Sequence, residues 1–204
     1  LYTQGIKVDA DYINIAEWKE SDPEKESELD FSRLPPLQLR CAQCRVQGYE
    51  LGKVAVDLSR KSTGMQIDLF RLEQNEGTIT ASGDWFINES GNSTLLKGEF
   101  TSRDFGGFLQ DMDYESGIRD SDATMDFDLS WNQAPFDLEL DSLNGNIGWR
   151  LGDGYLTEVS DQGARIFSFL SLESLIRKLT LDFRDVFAKG FFYEKMDGSF
   201  QITG

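Results

Sequence analysis

The chain has no histidine, and only two cysteines, among its 204 residues. Without histidine, Ser-His-Asp and Cys-His nucleophile machinery is excluded. A zinc site is excluded as well, because Cys41 and Cys44 alone leave a tetrahedral ligand set incomplete. No run approaches the roughly 20 apolar residues with which a helix crosses a bilayer. Bases are scarce: 20 Lys and Arg face 36 Asp and Glu, for a net charge of −16. A body this acidic repels phosphate backbones, which argues against nucleic-acid binding, and against broad electrostatic adhesion to anionic lipid. No glycine-rich phosphate loop with its lysine occurs, and no cofactor is expected.

What is present is apolar and patterned. The chain is 39% hydrophobic, with 15 Phe and 4 Trp, enough to fold. Residues 7–18 alternate as a strand, with Val8, Ala10 and Tyr12 on one phase and Ile13 and Ile15 on the other. Residues 19–32 are nearly all charged and read as a loop. From Leu37 a train of strands follows: 37–46, 49–58, 65–72, 78–87 and 94–101. Turns at Gly48, Asn75-Glu76-Gly77 and 88–93 make this an antiparallel meander. In 65–72, Ile67 and Leu69 oppose Gln66 and Asp68. Met125, Phe127, Leu129 and Trp131 share one face of the next strand, while Asp126, Asp128 and Ser130 share the other. Residues 136–140 repeat the alternation. Residues 144–151 and 155–159 are expected to form a hairpin through Gly152-Asp153-Gly154, and 191–200 reads as a last strand. The closing Ile202-Thr203-Gly204 reads as a strand running out, so a segment of a longer protein is expected.

Two stretches have helical spacing. Phe105, Phe108, Leu109 and Met112 predict a short amphipathic helix over 104–112, capped by Asp104 or Ser102. Residues 164–179 predict a helical pair broken near Ser171, with Leu172, Leu175, Ile176 and Leu179 as a stripe. The stretch from Arg165 to Lys195 holds six bases and four acids, so it is locally cationic in an acidic chain.

Residues three apart in a regular strand face opposite sides, which disfavours a direct Cys41–Cys44 bridge, whereas a local bulge would permit one. Disulfide and free thiols both stay open. Asp126 and Asp128, about 7 Å apart by strand spacing, are the best candidates for a glycosidase-like carboxylate pair, and a solvated sheet face explains them more simply. The acidic residues Asp111, Asp113, Glu115, Asp120 and Asp122 lack EF-hand spacing, so no metal site is expected. A sheet with one apolar face must cover it. It closes into a sandwich or barrel, or it curls into a groove whose apolar lining holds something greasy.

The C-terminal block settles the expectation. Arg177-Lys178-Leu179-Thr180-Leu181-Asp182-Phe183-Arg184-Asp185-Val186-Phe187, followed by Gly190-Phe191 and Asp197-Gly198-Ser199-Phe200, resembles the end of YhdP-type AsmA-like proteins. Tyr49-Glu50-Leu51-Gly52, Thr80 to Trp85, and Met125 to Trp131 are similar more loosely. That family comprises long periplasmic β-groove proteins of Gram-negative bacteria implicated in carrying phospholipid between the inner and outer membranes. The resemblance implies a mainly β fold, a strongly curved, taco-like open antiparallel groove over 37–160. A helical cap over 163–190 and a final strand over 191–204 would complete it. It implies a non-enzyme, periplasmic, whose partners are phospholipid acyl chains. The groove-lining candidates are Met125, Phe127, Leu129, Trp131, Leu138, Leu140, Ile147 and Trp149. Ile166, Phe167, Phe169, Leu170, Leu172, Leu175, Ile176, Arg177 and Lys178 would cap the groove, or touch a membrane surface or envelope protein. The rival readings are a closed β-sandwich scaffold and a carboxylate-pair carbohydrate-active enzyme.

Overall fold

Twelve strands and one short α-helix build the molecule, in a computed structural model that describes residues 5–15, 34–46, 48–88, 91–112, 114–138, 140–157 and 190–204. The charged loop and the helical pair expected from sequence, with all nine of the cap candidates, lie outside the described residues. Strands β1 (Ile6–Ile15), β2 (Leu37–Val46), β3 (Tyr49–Lys61), β4 (Gly64–Glu73), β5 (Gly77–Asn88) and β6 (Gly91–Ser102) follow one another. Helix α1 (Phe105–Asp111) and β7 (Ile118–Arg119) come next, then β8 (Ala123–Trp131), β9 (Asn144–Leu151), β10 (Gly154–Leu156), β11 (Phe191–Tyr193) and β12 (Met196–Thr203).

Nine strands form one sheet in the order β1-β2-β3-β4-β5-β6-β8-β9-β12, and three short ones form a second, β11-β10-β7. The large sheet is mainly antiparallel and is not closed: β1 and β12 are its two edges among the described residues. Short turns between alternating strands dictate the meander, since adjacent antiparallel strands need only a tight connection. The β1–β2 pair departs from it by running parallel, with Ile6 beside Leu37 and Ala10 beside Cys41. A long connection separates these strands, which is what a parallel pair requires.

Several sequence expectations are corrected. The described residues of 136–140 form no strand: Trp131 ends β8, Asp137 N–H turns back to Ala134 O at 3.0 Å, and a 3-10 turn lies at Leu140–Ser142. Pro135 cannot donate to a ladder, so the alternation beyond it has no strand to belong to. Strand β9 makes no hairpin with β10; it pairs with β8 and β12, while β10 pairs with β7 and β11. The single strand expected over 191–200 is two strands in two sheets. Helix α1 does form where expected, and Asp104, not Ser102, caps it, its carboxylate accepting from Gly107 N–H at 2.9 Å.

Cys41 and Cys44 are joined by a disulfide, their Cα atoms 6.0 Å apart. The pairing of β2 with β3 slips by one residue between Cys41–Val54 and Cys44–Gly52. That extra residue is a bulge, and it turns two cysteines three apart onto one face. Gly52 takes φ +73°, a conformation that a side chain would strain. Strand β1 follows β2 without a register shift, so Ala10, beside Cys41, and Ile13, beside Cys44, share a face although their sequence phases differ, while Tyr12 pairs with Gln43.

Candidate functional site

Residues paired across neighbouring strands project from the same face of a sheet, so the register assigns each side chain to a side. One row, read from β1 to β12, runs Ala10, Cys41, Val54, Leu72, Ile79, Phe100, Met125, Trp149, Gly198. The next runs Val8, Leu39, Val56, Phe70, Ala81, Gly98, Phe127, Ile147, Phe200. A third runs Ile6, Leu37, Leu58, Ile67, Gly83, Leu96, Leu129, Gly145, Ile202. No charged side chain interrupts any of the three rows, and the indole N–H of Trp149 is their one conventional side-chain hydrogen-bond donor. Eight strand spacings give the face a length of about 38 Å, and the three rows a width of about 14 Å.

The rows are unequally covered. At one end of the strands, Phe105 and Phe108 of α1 pack on Phe100, ring centroids 5.9 and 4.7 Å apart, in a core with Trp149, Leu151, Leu156 and Tyr193. At the other end Met65, Trp85 and Ala134 are buried together, with Leu34, Leu58 and Ile87 packed on them. Between these margins lies a strip of half-buried side chains, among them Val56, Phe70, Leu96, Phe127, Leu129, Ile147 and Phe200. Phe127 lies over a small-residue patch; a Cβ on Gly98 would sit 2.6 Å from its Cζ and 2.4 Å from Thr80 O. Glycine here lets the aromatic ring rest on the sheet.

The eight lining candidates therefore separate. Met125, Phe127, Leu129 and Ile147 are on the apolar face and half-buried. Trp131 and Trp149 are on the same side but inside the packed margins, 4% and 5% exposed. Leu138 and Leu140 are on no strand, and are 54% and 71% exposed. Sequence reading missed the contribution of β1 to β6 to this face. Its signal was present in Leu37-Leu39-Cys41 and Val54-Val56-Leu58. In β4 a bulge between Ile67 and Phe70 puts Phe70 on the face and pairs Leu69 with Asp57 on the other side.

The opposite face is charged. Asp9, Arg40, Ala55, Arg71, Thr80, Glu99, Asp126, Gly148 and Ser199 form one of its rows. Asp126 and Asp128 are exposed there, and Asp128 pairs with Lys97 at 2.7 Å, as expected of a solvated sheet face. Arg40 grips both carboxylate oxygens of Asp57 at 2.7 Å, and this hydrogen bond holds the Asp57 carboxyl below its usual range. Lys53, at 3.0 Å, does the same for Glu73, helped by Arg71, and Lys195 for Asp197. Folded values below unfolded ones mean stability that is complete above the unfolded carboxylate range, about pH 4, and is lost as pH falls through it. The urea midpoint is therefore expected to stay level from neutrality to about pH 5 and to fall below about pH 4. Asp57→Asn should flatten part of that fall, and an identical acid limb in the variant would contradict the assignment.

A concavity of about 800 Å³ lies beside the disulfide bulge and is lined by Tyr12, Gln43, Arg45, Glu50, Lys53 and Gln74 among others. Its bases are engaged, Arg45 with Glu50 and Lys53 with Glu73. Among the described residues no three Cys, Asp or Glu converge as metal ligands, and no helix is long and apolar enough to cross a membrane.

Comparison with known proteins places these features in context. The family model described as "YhdP protein" matches residues 2–204. The chain is 30% identical over 169 residues to the intermembrane phospholipid transporter YhdP of Escherichia coli (strain K12), an alignment covering 82% of this chain and 13% of that protein. The chain thus spans a small part of the length of this relative. No solved structure matches it.

Proposed function

This chain belongs to the YhdP family, and on that premise we propose that its apolar face is a floor along which phospholipid acyl chains lie during transfer between membranes. The observation that carries the reading is the unbroken apolar register across nine strands, half-exposed along its middle. Each methylene moved from water onto such a surface contributes about 0.8 kcal/mol. An acyl chain spans about 15 Å, half a bilayer's hydrocarbon thickness. A floor of about 38 Å therefore outlasts one chain and lets a lipid shift along it without re-entering water. No reaction and no cofactor is needed for this. The floor is the base of an open groove, the charged face is its water-facing back, and the chain is one section of a longer periplasmic conduit.

Native mass spectrometry of the purified chain, with lipid extraction, tests the proposal. Bound phospholipid is the expected result. A clean apo mass that persists after incubation with phospholipid vesicles would favour a closed scaffold instead.

A further inference from the structure

We propose that the described residues of the connection between β8 and β9, 132–138 and 140–143, are a lip that docks on a neutral lipid bilayer. Three large apolar side chains within five residues stand out in water: Phe136 is 59% exposed, Leu138 54% and Leu140 71%. The loop is anchored on both sides of them. Asn132 N–H donates to Ser142 Oγ at 3.0 Å and so closes the base of the loop. Trp131 Nε1–H and Asp137 N–H both reach Ala134 O at 3.0 Å, and Thr94 Oγ1 donates to Gln133 O at 2.8 Å. These bonds anchor the loop around Ala134 and at Ser142, on either side of the two leucines.

Two observations choose the occupant. The loop is continuous with the floor: Phe136 meets Trp85 edge-on, ring centroids 5.7 Å apart, and Trp85 sits in register between Met65 and Thr94, with Trp131 beyond. Whatever greasy phase serves the floor also suits its rim, so the choice of lipid rests on the floor reading. Residues 132–143 also contain acids and no Lys or Arg. An anionic surface would repel them, whereas a zwitterionic one accepts the apolar tips without that repulsion. A lip of this kind lets an acyl chain pass between bilayer and floor.

Flotation with pure phosphatidylcholine vesicles, and with vesicles enriched in phosphatidylglycerol, tests the docking. The chain is expected to float with the first and more weakly with the second. L138D/L140D should lower phosphatidylcholine partitioning at least about tenfold, a change of roughly 1.4 kcal/mol, while co-purified lipid and thermal midpoint stay as they were. Leu140→Asp alone, at the most exposed position, guards against misfolding of the double variant. D137N/D141N should narrow the preference for neutral vesicles. Unchanged flotation of both leucine variants would overturn the proposal, as would leucine-dependent self-association in sedimentation velocity with no vesicle binding. If no lipid co-purifies yet flotation still depends on the leucines, the docking lip stands and the floor falls.

Discussion

Leu129→Asp is expected to strip phospholipid from the purified chain and leave the chain folded. Leu129 is half-buried on the apolar face, with Leu96 beside it and Gly145 on its other side. Without lipid, a carboxylate there keeps water and folding loses only part of one leucine's burial, about 1–2 kcal/mol. With lipid, the same carboxylate must face hydrocarbon, which costs several kcal/mol unless it takes up a proton. The affinity is therefore expected to fall by at least about a hundredfold. Thr124→Asp is the control on the charged back, opposite Arg150 in register, and should leave lipid content unchanged. Equal lipid loss in both variants would mean that face does not matter.

Trp131→Ala has the converse signature: a large loss of stability. Trp131 is 4% exposed, and its indole N–H is committed to Ala134 O at 3.0 Å. Truncation leaves a cavity and removes one buried hydrogen bond, although Asp137 N–H still donates to Ala134 O, and the loss is about 3–5 kcal/mol. For a chain of this length that is a drop in thermal midpoint on the order of 10 °C. It should also free the 132–143 loop, whose base this tryptophan ties down. Calorimetry of both variants separates margin from floor. A midpoint for Trp131→Ala within a degree or two of the parent would remove it from the packed margin.

Much of this was legible where alternation was undisturbed. Met125, Phe127, Leu129 and Trp131 were read onto one face, and the register puts them there. Period alone does not say how far each is covered, because cover comes from elements distant in sequence. Trp131 is buried by the loop after it, and Trp149 by the core that α1 and the small sheet complete. Bulges were invisible for a different reason. One added residue reverses every side chain beyond it, so Leu69 was read onto the face that Phe70 occupies, and a Cys pair spaced against bridging is bridged. The 136–140 stretch failed in the opposite way. Phe136, Leu138 and Leu140 alternate with acids as a strand would, but Pro135 and the turn at Ala134 detach them from any ladder.

The central claim is that lipid contacts one face of the large sheet and not the other. Neighbouring residues of β8 point to opposite faces, so a photo-crosslinking residue placed at Phe127 or at Asp126 samples the two sides from nearly one position. Irradiation of the lipid-bearing chain is expected to give a phospholipid adduct from position 127 and none from 126. Adducts of equal yield, or an adduct from 126 alone, would contradict the account.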